Sequence, residues 1–294
     1  PILWQGSHMS SVIYVRGLEK SYGSNKAVAG IDLNIEPGEI FALLGPNGAG
    51  KTTTVEILEG FRDRDHGDVS VLGVDPAIKG EAARIWRNRI GIVLQSTSDA
   101  GDLTVKDTVA HFAKYYANPR NVDEVVQAVG LAEKSSDLIR TLSGGQRRRL
   151  DVALGIIGSP ELLFLDEPTT GFDPEARRAF WALIKTLRDS GTTIVLTTHY
   201  LDEAEALADR VAVINRGEIV EVSTPALLGG RATSLATVSW LSENGAKSER
   251  TDNPTALIRK LTEIYKEEIP ELTVTRASLE DIYLEMIGGA GDKK

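Results

Sequence analysis

Gly45-Pro-Asn-Gly-Ala-Gly-Lys-Thr-Thr53 decides the fold. The apolar run at 39–44 leads straight into it and reads as a buried strand. A helix is predicted from Lys51 to about Glu59. Gly45, Gly48 and Gly50 let the backbone approach a ligand that a Cβ would hold away. Peptide N–H groups can then turn inward onto phosphate oxygens, and the helix start adds its positive end. Lys51 supplies a point charge for the β- and γ-phosphates, and the Thr52 hydroxyl can ligate Mg²⁺. The predicted phosphate contacts are Gly45, Asn47, Gly48, Ala49, Gly50, Lys51, Thr52 and Thr53.

Leu162-Leu-Phe-Leu-Asp166-Glu167-Pro168 is the second informative stretch. Four apolar residues bury a strand and deliver two carboxylates at its carboxyl end, where open α/β sheets bind ligands. Asp166 is predicted to hold Mg²⁺. Glu167 is predicted to orient an attacking water or accept its proton. By themselves, paired acids after a strand could equally cap the next helix; the loop at 45–52 decides for catalysis.

Ser143-Gly144-Gly145-Gln146 precedes a helix. A serine hydroxyl and free N–H groups at a helix start form a second phosphate-binding surface. The alternative is an ordinary serine N-cap with a glycine-rich lead-in. Arg147, Arg148 and Arg149 follow, and such a charge run is mostly solvated or paired.

The 294 residues carry a formal net charge of −9, which argues against a surface built to neutralise nucleic-acid phosphates. There is no cysteine, so disulfides and cysteine-ligated zinc are excluded. No apolar run approaches the roughly 18 residues that span a bilayer. Gly6-Ser7-His8-Met9 resembles an expression scar, so residues 1–8 are set aside.

Short apolar strands alternating with helical patterns predict an α/β fold with a largely parallel core sheet. Residues 12–17 and 31–36 alternate and suit a smaller antiparallel layer. Buried strands are expected at 90–95, 161–166 and 192–197. Helices are expected at 105–116, 122–129 and 174–189, and the segment 96–158 reads as mostly helical. Breaks near 223–230 mark a boundary, giving a main domain over 9–222 and a small α+β accessory domain over 223–294. In the latter, strands are expected at 234–240 and 272–275 and a helix at 254–268. Ser278-Leu-Glu-Asp281 opens a last helix as a capping box, with Leu279, Ile282, Tyr283 and Met286 on one face.

Taken in order and spacing, the motifs over about 11–222 resemble the nucleotide-binding subunit of ABC (ATP-binding cassette) transporters, a P-loop NTPase fold with a helical subdomain. The resemblance implies ATP and Mg²⁺ as ligands and ATP hydrolysis as the activity. It places Tyr22 against adenine. Gln95 becomes a Mg²⁺ ligand that senses γ-phosphate, and His199 a switch that contacts γ-phosphate and holds Glu167. Asp173, in Thr170-Gly171-Phe172-Asp173, touches the opposite subunit's site; Phe172 stands where many relatives have leucine. ATP would lie between Lys51 and Thr52 of one chain and Ser143, Gly144, Gly145 and Gln146 of another, in a homodimer or heterodimer.

The same resemblance implies an integral-membrane permease as partner, docking around Gln95 and 96–116. It also implies a place at the cytoplasmic face of the cell membrane, and no nucleic acid. Ser278-Leu-Glu-Asp-Ile-Tyr-Leu-Glu-Met-Ile287 and Glu59-Gly-Phe-Arg62 resemble the daunorubicin-resistance type of exporter ATPase. The alternatives are a soluble ABC ATPase of ribosomes, DNA or iron–sulfur assembly, and an importer ATPase. The tail is either a dimerisation or regulatory module or a stabilising appendage.

Overall fold

The computed structural model describes residues 11–94, 102–233, 235–243, 245–266 and 268–289. Residues 1–8, Gln95 and the start of the predicted docking segment at 96–101 lie outside them. The chain divides into two compact units that part between Val222 and Ser223.

The first unit runs β1 (Ile13–Tyr22), β2 (Asn25–Ile35), β3 (Ile40–Leu44), α1 (Lys51–Leu58), β4 (His66–Val71), α2 (Glu81–Arg87), β5 (Ile90–Val93), α3 (Val105–Ala113), α4 (Val122–Ala128), α5 (Gly144–Ile156), β6 (Leu162–Asp166), α6 (Pro174–Asp189), β7 (Thr193–Thr198), α7 (Leu201–Leu207), β8 (Arg210–Asn215) and β9 (Glu218–Ser223). The main sheet is ordered β5-β6-β7-β3-β8-β9. Its β5–β6, β6–β7, β7–β3 and β3–β8 pairs are all parallel. All five residues of β3 are buried, as continuous apolar strands covered on both faces should be. Register brings Leu44 opposite Thr198, and Asp166 opposite Thr197. The carboxyl ends of β3, β6 and β7 therefore lie side by side, and the chemistry collects there.

A second sheet, β2-β1-β4, is antiparallel. Its first two strands are longer than the sequence pattern suggests. Shifts in the β1 register after Val15 and Leu18 break the alternation that marks a strand.

Besides α1 and α5, which start within the two glycine-rich stretches, α3, α4 and α6 were legible in the sequence. α6 begins with Asp173 accepting from Glu175 N and Ala176 N, and Pro174 stands in its first turn. Its Phe180, Leu183, Ile184 and Leu187 are buried on one stripe. α3 is capped by Thr104 and ends at Ala113, earlier than the apolar pattern implies; the chain continues through turns at Lys114–Tyr116. α4 is capped by Asn121.

The second unit contains β10 (Ala236–Ser242), β11 (Gly245–Thr251), α8 (Pro254–Tyr265), β12 (Thr273–Thr275) and α9 (Leu279–Gly289). Its sheet is antiparallel, ordered β11-β10-β12. Val238, Leu261 and Ile269 form its small core. β11 has no apolar alternation and is largely exposed, so the sequence pattern gives no sign of it. Ser278 Oγ accepts from Asp281 N while Asp281 Oδ2 accepts from Ser278 N. That is the expected reciprocal cap, and Leu279, Ile282 and Tyr283 are buried behind it. Among the described residues no helix is long and apolar enough to cross a membrane.

Candidate active site

The loop between β3 and α1 is shaped by its glycines. Gly50 has φ 105°, and a Cβ there would stand 2.3 Å from Ala27 O. No side chain fits that position. Lys51 Nζ turns back along the loop and donates to Gly45 O (2.8 Å) and Pro46 O (3.2 Å). It also lies 3.9 Å from Glu167 Oε1. Burial lowers the pKa of its ammonium, and the carboxylates of Glu167 and Asp166 oppose that shift.

A cleft of about 470 Å³ opens over this loop. Tyr22, Asn47, Gly48, Gly50, Lys51, Thr52, Thr53 and Glu167 line it, together with Asn25 and Ala27. Residues far apart in sequence thus meet in one place: the aromatic end of β1, the glycine loop and the carboxylate after β6. Asn25 and Ala27, at the start of β2, were not anticipated; nothing in their own residue types marks them. Tyr22 is 42% exposed, with the Arg62 guanidinium carbon 5.3 Å and Lys20 Nζ 5.7 Å from its ring centroid.

Behind the cleft, Thr197 Oγ1 donates to Asp166 Oδ1. The Glu167 N–H bonds Thr197 Oγ1 at 3.0 Å and Thr197 O at 3.2 Å. Glu167 itself has φ 42°, a left-handed conformation that residues with a Cβ rarely adopt. His199 Nδ1 is 3.2 Å from Glu167 Oε1, without the alignment of a hydrogen bond. Among the described residues no three His, Cys, Asp or Glu side chains converge on a metal position. Thr52 lines the cleft and Asp166 ends β6; one or two such oxygens fit Mg²⁺, which completes its shell with phosphates and water.

The remaining predicted positions lie elsewhere. Ser143 Oγ accepts from Gln146 N (3.3 Å) and Gln146 Oε1 accepts from Ser143 N (3.0 Å), a full capping box on α5. The Asp173 carboxylate caps α6. None of Ser143, Gly144, Gly145, Gln146 or Asp173 lines the cleft.

A protein-family model described as ABC transporter matches residues 28–170. The chain is 34% identical to the daunorubicin/doxorubicin resistance ATP-binding protein of Streptomyces peucetius, over 96% of this chain and 94% of that one. The chain belongs to the ABC transporter family.

It is an ATP-binding, ATP-hydrolysing transporter subunit. This ABC ATPase is also 36% identical to the linearmycin resistance ATP-binding protein of Bacillus subtilis, over 79% of this chain and 76% of that one. Among solved structures, a subunit of an ABC transporter complex from Clostridium perfringens superposes with a TM-score of 0.68 at 27% identity, over 74% of this chain and 90% of that one. The ATP-binding subunit of another ABC transporter covers 94% of this chain and 99% of its own length, with a TM-score of 0.68 at 20% identity. The second likeness is one of fold, and it extends over both units.

Arg148 lies in the basic run 147–149 that follows the glycine-rich signature Ser143 to Gln146, a run whose side chains the sequence pattern predicts to be mostly solvated or paired. Arg148 itself is only 6% exposed. Its Nε donates to Pro168 O (3.1 Å), its Nη2 to Asp166 O (2.8 Å) and its Nη1 to Leu94 O. The available signal was its helical spacing to Val152, four residues on and fully buried. Glu203 on α7 is fully buried and accepts from Thr169 Oγ1 at 2.8 Å. Burial raises its carboxyl pKa, and the bond from Thr169 opposes the shift.

Proposed function

We propose that two copies of this ABC ATPase, or this chain and a close relative, pair head to tail around two ATP molecules and drive export through a separate membrane subunit. In this reading the loop at 45–53 and Tyr22 of one chain hold the nucleotide, while Ser143 to Gln146 of the other close on its γ-phosphate. Asp173 approaches the same site from across the interface. Gln95, Thr52 and Asp166 would hold Mg²⁺, which when bound neutralises charge on the phosphates.

The observation that carries the pairing is that, among the described residues, nothing demands a glycine at 144 or 145. Both stand in the first turn of α5, where glycine costs helix stability. Neither has a positive φ. A Cβ at Gly144 would meet nothing within 4 Å, and one at Gly145 would meet Ala176 Cβ at an ordinary 3.5 Å. In this reading the bare backbone there leaves room for a partner that approaches closely.

The chemistry follows from the cleft. Loop N–H groups and Lys51 fix the phosphates; Lys51 exchanges the carbonyls of Gly45 and Pro46 for phosphate oxygens. Glu167 accepts a proton from the water that attacks the γ-phosphorus, and His199 steadies that carboxylate. The bond to the β–γ bridging oxygen breaks, leaving ADP and phosphate. Positioning and electrostatics supply most of the acceleration.

Export is favoured because relatives are named for daunorubicin/doxorubicin resistance, linearmycin resistance and Nod factor export. The place of work in this reading is the cytoplasmic face of the membrane.

Gly144→Ala tests the pairing. The isolated chain should be as stable as the parent, or more so by up to about 1 kcal/mol. ATPase activity and the ATP-dependent dimer mass seen by light scattering should both collapse. Parental turnover in that variant would remove the support for a shared site. For the partner, a tagged Glu167→Gln chain is crosslinked in its native host and its co-purifying proteins are identified. A stoichiometric multi-span protein is expected. Ribosomal or iron–sulfur assembly proteins without one would overturn the transport reading.

A further inference from the structure

Glu167 sits in a backbone conformation that needs enforcing. A left-handed φ at a residue with a Cβ is strained and persists only where its surroundings over-determine it. On one side the enforcement is visible in the two bonds from Glu167 N to Thr197. On the other side stands Arg148. Its planar fork reaches the carbonyl oxygen of residue 166, just before Glu167, and that of residue 168, just after it. Its third donor holds the carbonyl of Leu94 at the end of β5. The Asp151 carboxylate lies 3.8 Å away and balances the charge one turn along the same helix. Thr169 is anchored in turn to the buried Glu203.

Three acceptors at fixed angles match a guanidinium and cannot be matched by a flexible ammonium. The geometry is also directional. Arg148 belongs to α5, whose first residues form the glycine-rich signature, while all three carbonyls belong to the strand ends beside the cleft.

We propose that Arg148 is a positioning residue for hydrolysis: its hold on the carbonyls of residues 94, 166 and 168 fixes the left-handed turn that aims Glu167, and ties that turn to the signature helix. Arg148 touches no reacting atom. The inference rests on the reading of Glu167 as the group that handles the attacking water.

The test is a double-mutant cycle on the full chain with Arg148→Lys, Glu167→Gln and the pair. Lysine keeps the charge opposite Asp151 and loses the fork. Folding is checked by circular dichroism at the assay temperature, binding is measured with a fluorescent ATP analogue, and turnover is measured as phosphate release. Arg148→Lys should bind the analogue within about threefold of the parent and lose at least about 30-fold in kcat. In the Glu167→Gln background the same substitution should cost less than about threefold, because the group it positions is gone.

Parental kcat in Arg148→Lys, or an equal loss in both backgrounds, would overturn the proposal. So would an Arg148→Lys chain that no longer folds, which would assign the residue to stability alone. Should Glu167→Gln by itself turn over like the parent, the reading of Glu167 falls first and this inference with it. The single-variant rate therefore shows which of the two has failed. Arg148→Met, which keeps the bulk and removes every donor, should lose at least as much kcat as Arg148→Lys; a rate near the parent's would count against the fork.

Discussion

Glu167 is where the site's chemistry and its strain coincide. A glutamine there keeps the size and the contacts but cannot take a proton. Glu167→Gln should therefore leave ATP affinity near the parent's and lower steady-state turnover by about 10²–10⁴-fold, the range for a lost general base. Phosphate release against nucleotide binding separates the two quantities. Lys51→Ala should do the opposite and raise the ATP dissociation constant. Glu59, at the end of α1, makes a different prediction. Burial first, then the neighbouring Asp166 and Glu56, push its carboxyl up to about 8. The folded chain thus keeps a proton that the unfolded chain releases near the ordinary carboxylate value. Between about pH 4.5 and 8 the folded state binds more protons, so this group's contribution to stability falls as pH rises through that window and is flat above it. Glu59→Gln removes the dependence. Its advantage over the parent in urea unfolding should grow from near zero at pH 4.5 to roughly 5 kcal/mol at most by pH 8. An advantage that does not change with pH would show that the carboxyl is not held neutral.

At the scale of elements, the placement of α5 matters most, because it carries the signature at one end and Arg148 one turn further on. It lies against β5 through two glycines. A Cβ on Gly91 would stand 2.3 Å from Gly155 O, and one on Gly155 would stand 2.9 Å from Val93 Cγ2. Gly91→Ala should therefore push helix and strand apart and cost about 1–3 kcal/mol in chemical denaturation, as overpacking does. Gly144→Ala on the same helix should cost nothing. Equal effects would mean that the helix is not seated by this contact. Such seats are invisible in the sequence, where Gly91 is one more residue of an apolar run. By contrast, β3, β6, β7 and α6 were plain, because continuous burial, paired acids and a proline after an aspartate cap each leave a local mark. β11 left none: it is largely exposed, and its partner, not its own residues, makes it a strand. β8 carries a buried apolar run, Val211 to Ile214, without a motif at its end to single it out. The same division runs through the site. Residues that meet phosphate announce themselves by spacing, whereas Arg148 and Glu203 act on carbonyls and hydroxyls brought close only by folding.

At the scale of the whole molecule, the two units differ in how much they bury. The first packs continuous apolar strands between layers, with most of β3, β6 and β7 fully buried. The second has a small sheet core of Val238, Leu261 and Ile269 with a few half-buried neighbours, and a further buried set at Leu228, Leu279, Ile282 and Tyr283. β11 is largely exposed, and all of β12 is exposed. Small domains hide a smaller share of their surface and gain correspondingly less on folding. The second unit should therefore be the weaker one, and its amides should exchange with deuterium by local opening well before those of β3 and β7. Hydrogen exchange on the intact chain measures this directly, and equal protection in β10 and β3 would contradict it. Deleting residues 224–294 should accordingly leave the cleft's ATP affinity within about threefold, since every residue that lines it comes from the first unit. What the deletion does to the mass of the ATP-bound Glu167→Gln chain then discriminates between the two readings of the tail. A lost dimer with ATP affinity retained makes the tail part of the pairing surface. An unchanged dimer and unchanged turnover make it an appendage that steadies the chain.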